Sequence, residues 1–170
     1  MHVRRARHSD ADAIAGIYVR SWRDAGKQFL PSQFLASLSV EEHASTWADA
    51  IELGTQRIRV VEMAGVLVGF ASFGLSRDEG AGATDFELQA IYVDPPSTGS
   101  GAGFALWVQC FEEMRLASAS RVMLWVLEKD VRLIRFYQAA GFVQDAGARR
   151  SVELGGVPFD EVRYAQKIRR

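Results

Sequence analysis

Val93-Asp94-Pro95-Pro96-Ser97-Thr98-Gly99-Ser100-Gly101-Ala102-Gly103-Phe104-Ala105-Leu106 is the stretch on which the fold turns. Ahead of it, Phe86 to Val93 has the composition of a strand, and Asp94-Pro95-Pro96 ends that strand because proline cannot donate to a ladder. Behind it the spacing predicts a helix with Phe104, Trp107, Val108, Phe111 and Met114 on one side. Glycines 99, 101 and 103 lie between the two elements. Lacking a β-carbon, they let main-chain N–H groups converge and let a ligand approach the backbone. The helix points its positive end at the same spot, which makes it suited to a pyrophosphate. A flexible loop of small residues accounts for the glycine run equally well. A dinucleotide turn fits less well, since it needs G-x-G-x-x-G spacing and an acid about 20 residues on. A P-loop fails because no Gly-Lys-Ser/Thr follows.

Working outward, Arg121 to Leu127 is almost wholly apolar, as a strand buried on both faces should be. Phe86 to Leu127 is then a strand–helix–strand unit, whose two strands are expected to be parallel neighbours. A helix from Asp130 to Gly141 and strands at Phe142 to Gly147 and Asp160 to Lys167 complete the C-terminal half. Upstream, strands Arg57 to Met63 and Val66 to Leu75 flank a tight turn at Ala64-Gly65, and Ser76 to Ala83 reads as a surface loop. Met1 to Arg7 reads as a short strand. Ser9 is the expected cap of a first helix whose apolar face carries Ile14, Ile17, Tyr18 and Trp22 and which Gly26 ends. Pro31 opens a second helix at its first position, and Ser39-Val40-Glu41-Glu42 caps a third that Gly54 stops. The sum is one α+β (or α/β) domain with a mixed sheet over 1–170, with no linker to split it.

Composition narrows the classes. With 48% hydrophobic residues and a net charge of -1 from 20 Lys+Arg and 21 Asp+Glu, the chain is neither disordered nor built to neutralise nucleic acid. Arg149-Arg150 and Arg169-Arg170 read as surface charges. The single cysteine, Cys110, removes any internal disulfide, and His2, His8 and His43 lack paired ligand spacing, so no metal is expected. No stretch approaches the ~20 apolar residues a membrane span needs, and the arginines near Met1 precede no apolar signal core. A soluble, cytoplasmic protein is the expectation.

From Glu87 to Phe142 the chain resembles the GCN5-related N-acetyltransferase (GNAT) family. The family's acetyl-CoA signature Q/R-x-x-G-x-G/A falls on Thr98-Gly99-Ser100-Gly101-Ala102-Gly103, after Glu87-Leu88-Gln89-Ala90-Ile91-Tyr92-Val93-Asp94-Pro95, which looks like the family's fourth strand. Leu124 to Glu128 resembles its fifth strand, and Asp130 to Phe142 its N-x-x-A-x-x-F-Y-x-x-x-G-F helix. Tyr18-Val19-Arg20-Ser21-Trp22-Arg23 is similar to the first helix of many bacterial members. The resemblance implies a GNAT-like acyl-CoA N-acyltransferase fold, with a mostly antiparallel mixed sheet flanked by helices.

It also implies acetyl transfer from acetyl-CoA to an amine by direct attack, with Cys110 a small helix residue rather than a nucleophile. The implied coenzyme A contacts are Ile91, Tyr92, Val93, Thr98, Gly99, Ser100, Gly101, Ala102, Gly103, Phe104, Asp130 and Phe136. Thr98 stands where the family usually has Gln or Arg, Ser100 where a basic residue is frequent, and Asp130 where Asn is common, which points to weaker grip on the cofactor. Glu87 is the implied proton acceptor and Tyr137 the implied acid for the departing thiolate, while Tyr18, Trp22, Asp24, Phe29 and Glu128 are the implied acceptor-site residues. The implied partner is a small-molecule amine (polyamine, amino acid or antibiotic-like), with a homodimer a known family assembly. A protein N-terminal or lysine acetyltransferase and a non-catalytic acyl-CoA-binding module are the alternatives.

Overall fold

The computed structural model describes residues 1–168, so Arg169 and Arg170 lie outside the described residues. In chain order the elements are β1 (His2–Arg5), α1 (Ala11–Gly26), α2 (Ser32–Ser37), α3 (Val40–Leu53), β2 (Arg57–Met63), β3 (Val66–Leu75), β4 (Asp85–Val93), α4 (Ala102–Leu116), β5 (Arg121–Leu127), α5 (Val131–Ala139), β6 (Val143–Leu154) and β7 (Val157–Lys167). The strands form a seven-stranded sheet in the order β1-β2-β3-β4-β5-β7-β6. Every neighbouring pair is antiparallel except β4–β5, the pair joined through α4. That is the mixed, mostly antiparallel sheet the sequence implied.

Alternation along the strands divides the core. Val122, Leu124 and Val126 of β5 pack with Leu106 and Met114 of α4 and Tyr137 of α5. Ile58, Val60 and Phe70 pack with Ile14 and Ile17 of α1 and Ala50 of α3. A third cluster joins Leu30 and Leu35 to Leu127 and Phe159. Successive side chains on a strand face opposite ways, so one face of the sheet carries α4 and α5 and the other carries α1 to α3.

Local chemistry explains most boundaries. Ser39 Oγ accepts from Glu42 N at 3.2 Å, and Gly54, at φ 63°, closes α3 in the left-handed region. Ala64 and Gly65 both have positive φ, which suits a tight hairpin turn. Five expectations need correction. The first strand is shorter than Met1 to Arg7, and Ser9 caps nothing. A 3-10 turn at His8–Asp10 precedes α1, and Asp10 Oδ2 accepts from Arg7 N and from Arg4 Nη1, each at 2.7 Å. Pro31 sits at the N-cap of α2 rather than inside it. β6 runs past Gly147 to Leu154, because that glycine falls where the ladder to β7 slips between Gln144 and Arg149 rather than at a strand end. On α4 the buried side is Ala102, Leu106, Trp107, Cys110 and Met114, leaving Phe104 and Val108 58% and 43% exposed. The helix is apolar nearly all round, so periodicity alone fits two stripes, and the small side chains of Ala102 and Cys110 select the one that packs closely.

Candidate active site

β4 and β5 share only the pairs Asp85↔Arg121, Phe86↔Val122 and Glu87↔Met123. Past Glu87 the two strands part. On its other edge β4 carries a bulge, since the register to β3 passes from Ser72↔Ala90 to Phe73↔Leu88 and leaves Gln89 unmatched. A bulge bends its strand and raises its local twist, which turns the end of β4 away from β5. A cavity of about 470 Å³ fills the wedge, lined by Ile91, Tyr92 and Val93 on one side and Trp125, Val126 and Leu127 on the other.

The glycine turn forms one end of this cavity. Gly99 and Gly101 have φ of 82° and 88°, a conformation a side chain would strain. Within the turn Ser97 N bonds Asp94 O at 2.8 Å, while Thr98 N and Ser100 N bond Pro95 O and Ser97 O, each at 3.2 Å. Ala105 N reaches Gly101 O at 3.0 Å, and Ala102 N reaches Ser100 Oγ at 3.4 Å. The amides of Gly99, Gly101, Gly103 and Phe104 donate to no protein acceptor among the described residues. Free N–H groups at the positive end of α4 suit an anion of two phosphates. Thr98, Gly99, Gly101, Ala102, Gly103 and Phe104 line the cavity with Asp130 and Phe136, whereas Ser100 is exposed and off the wall. Asp130 Oδ1 caps α5 by accepting from Leu133 N at 3.0 Å.

Three phenols meet near the wedge. Tyr92 lines it, packs on Phe70 and lies edge-on to Tyr18 with ring centroids 5.2 Å apart. Burial raises the Tyr92 phenol well above its usual range, and negative charge on Tyr18 or Tyr137 would raise it further. Tyr137 is 5% exposed and off the cavity wall, one turn beyond the lining residue Leu133. Burial first, then the Asp130 charge, push its phenol above the usual range, so it keeps its proton. Trp22 also lines the cavity, and its buried Nε1 has no hydrogen-bond partner among the described residues, although it lies near enough to the Tyr18 and Tyr92 oxygens to favour their ionised forms.

Trp22 and Phe29 therefore reach the cavity as implied, with Tyr18 packed behind them against Trp22, His43 and Trp47. Three acids do not. Glu87 is buried outside the wall, and its carboxylate takes Arg77 Nη2 at 2.7 Å, Arg77 Nε at 3.0 Å and Arg77 N at 3.2 Å. Asp24 pairs with Lys27 at 2.9 Å and approaches Arg132 at 4.0 Å. Glu128 is exposed and pairs with Arg149 at 2.5 Å. In each case an arginine or lysine holds the carboxylate: a local neighbour three residues on for Asp24, and arginines 10 and 21 residues away for Glu87 and Glu128.

Two acids do line the cavity: Asp130, which caps α5, and Glu161 on β7, which nothing in the sequence singled out. The place of Glu161 follows from the β5–β7 register, Leu127↔Glu161 and Trp125↔Arg163. Arg150 Nε donates to Glu161 Oε2 at 2.6 Å, and the Arg150 guanidinium lies 4.3 Å over the Trp125 ring. Cys110 is fully buried, and desolvation pushes its thiol up to about 12, which leaves no thiolate for catalysis. Among the described residues no group of three His, Cys, Asp or Glu is placed to hold a metal, and no helix is long and apolar enough to cross a membrane.

Comparison with known proteins agrees with this geometry. The sequence pattern of the Acetyltransferase (GNAT) family matches residues 13–142. Mycothiol acetyltransferase of Thermobispora bispora is 34% identical over 86 residues, which cover 50% of this chain and only 29% of that protein. The L-amino acid N-acyltransferase MnaT of Escherichia coli is 26% identical over 153 residues, 86% of this chain and 81% of that one. Among solved structures, yncA of Salmonella typhimurium, described as a putative acetyltransferase with its cofactor acetyl-CoA, superposes with a TM-score of 0.76 at 22% identity, covering 100% of this chain and 95% of that one.

Proposed function

The chain belongs to the GNAT acetyltransferase family, and from that premise we propose that it transfers the acetyl group of acetyl-CoA to the primary amine of a small molecule. The observation that carries the reading is the continuity of one cavity from the unpartnered amides of Gly99, Gly101, Gly103 and Phe104 to the wedge between β4 and β5. The amides hold the diphosphate, with Asp130 and Phe136 beside it. The pantetheine arm lies along Val93 and Ile91, where β4 has lost its β5 partner and main-chain N–H groups are available to the thioester oxygen.

Acetyl-CoA supplies an activated acyl carbon. The amine nitrogen attacks it, a C–N bond forms and the C–S bond breaks. The overall change is R–NH₃⁺ plus acetyl-CoA to R–NH–CO–CH₃, CoA–SH and one proton. Tyr137 is assigned as the donor for the leaving sulfur: its phenol carries a proton and it lies directly behind the cavity wall, on the helix whose Leu133 and Phe136 line the cavity. The proton lost by the amine goes to water, since Glu87 is held by Arg77 outside the cavity wall.

Calorimetry with acetyl-CoA followed by thiol-release assays over a panel of amines and a lysine peptide tests this. Binding with turnover on small amines is the expected result. Binding without turnover on any acceptor would leave a non-catalytic acyl-CoA module, and turnover on the peptide alone would make the acceptor a protein.

A further inference from the structure

The acceptor half of the cavity has a composition that selects among amines. Its walls are Trp22, Phe29 and Leu30 from α1 and the turn after it, Trp125 and Leu127 from β5, and one carboxylate, Glu161. Arg150 takes Glu161 Oε2, leaving Oε1 with no hydrogen-bond partner among the described residues. The side chain of Glu161 is only 17% exposed, so that free oxygen is a partly desolvated acceptor.

We propose, resting on the acetyl-transfer reading above, that the acceptor is a monoamine carried on an aromatic or branched aliphatic body, with its ammonium drawn in by Glu161. Trp22, Phe29 and Leu30 receive the apolar body, with Trp125, whose ring already carries Arg150 at 4.3 Å, closing the wall beside them, and the Trp22 face also attracts the cation. A polyamine brings further ammonium groups, each of which needs a partner once desolvated. The other acid on the wall, Asp130, already caps α5. An amino acid brings a carboxylate that Glu161 repels. Arg132, the cation on the cavity wall among the described residues, is 64% exposed and 4.0 Å from Asp24, and Arg150, off the wall, is already held by Glu161 and stacked on Trp125. The cavity of about 470 Å³ must also take the pantetheine arm, so the acceptor body is small.

Once seated, the ammonium loses one proton to water, the nitrogen forms its bond to the acyl carbon as the C–S bond breaks, and the second N–H proton is released in step with protonation of the sulfur.

The test compares kcat/KM for 2-phenylethylamine and tryptamine with that for spermidine, L-methionine and L-phenylalanine. The expected preference for the aralkylamines is about tenfold or more, roughly the discrimination one unpaired charge imposes. A preference for spermidine or an amino acid overturns the inference and leaves acetyl transfer standing. Absence of turnover on every acceptor, with acetyl-CoA still bound, overturns both. Glu161→Gln keeps the shape of the side chain and should raise KM for 2-phenylethylamine about tenfold, a larger change than in kcat. Calorimetric binding of that amine to the CoA complex should weaken in parallel, with acetyl-CoA affinity within about twofold of the wild type. An unchanged KM and amine affinity in Glu161→Gln would remove Glu161 from the acceptor site.

Discussion

If main-chain amides grip the diphosphate, the most informative change is Gly101→Ala. Gly101 caps α4 with φ 88°, and a β-carbon there would meet no heavy atom within 4 Å. The new methyl therefore clashes with nothing in the protein and projects into open space beside the unpartnered amides. Two effects separate. The first is backbone strain, about 1–2 kcal/mol for an alanine in the left-handed region, which at this chain length lowers Tm by about 2–8 °C. The second is the diphosphate contact. Displacing one charged hydrogen bond costs about 1.5–3 kcal/mol, or an increase in Kd of about 10- to 150-fold.

A control isolates the second effect. Gly80, at φ 75° in the exposed loop before β4, also has open space around its missing β-carbon and lies outside the cavity wall. Gly80→Ala should lower Tm by a similar amount and leave acetyl-CoA affinity unchanged. Thermal melts and calorimetry on the two variants, under one buffer, read both quantities. Equal acetyl-CoA affinity in Gly101→Ala and Gly80→Ala would refute the claim that this turn binds the cofactor.

Tyr137→Phe should lower kcat about tenfold or more without changing acetyl-CoA affinity more than about twofold, and steady-state kinetics with calorimetry would show it. The same phenol sets a stability trend. Its raised folded-state pKa means that the unfolded chain releases a proton near pH 10 that the folded chain retains, so the full contribution is present below about pH 10 and is lost as pH rises above it. Denaturation at pH 8 and pH 11 should show a smaller alkaline loss in Tyr137→Phe than in the wild type. Cys110 should resist a thiol reagent until the protein unfolds, and Cys110→Ala should keep turnover within about threefold, whereas its abolition would point to an acyl-enzyme. Asp10, whose carboxyl is held below its usual range chiefly by Arg4, stabilises above the unfolded carboxyl pKa and loses that contribution as pH falls through its folded value. Asp10→Asn should cost about 1–3 kcal/mol at pH 7 in urea melts, with the gap to wild type closing below about pH 4.

What the sequence disclosed was local. The Ser39 cap, the Gly54 stop and the Ala64-Gly65 turn are each written within a few adjacent residues, and each is present. So is the parallel pairing of β4 with β5, because a strand–helix–strand run permits little else. Ile91 to Val93 and Gly101 to Phe104, the runs expected to meet the cofactor, both line the cavity, and each was legible because it is contiguous. The acceptor side is assembled from distant segments. Whether an acid such as Glu87, Glu128 or Glu161 faces the cavity depends on which arginine captures it, and Arg77, Arg149 and Arg150 lie 10, 21 and 11 residues away in sequence. Charge counting cannot rank such pairings; the β5–β7 and β6–β7 registers decide that of Glu161, and the β3–β4 connection decides that of Glu87.

The weakened signature acquires a physical meaning in this light. A glutamine or arginine at position 98 would add a side-chain donor to the turn, and Thr98 removes that contribution. The four unpartnered amides are indifferent to side-chain identity at 98 and 100, because their direction is set by the left-handed backbone at Gly99 and Gly101 and by the start of α4. They also belong to the chain segment that leaves β4, so the bulge at Gln89 that opens the wedge and the glycine turn proposed to hold the diphosphate are joined through Val93 and Asp94. Asp94 is itself fixed, its carboxylate taking Arg20 of α1 through two hydrogen bonds of 2.8 and 2.9 Å. That ion pair ties the helix carrying Trp22 to the strand end carrying the glycine turn. The spacing between the glycine turn and the Trp22 wall of the cavity is thus set by main chain and one bidentate contact rather than by the side chains that the family signature counts.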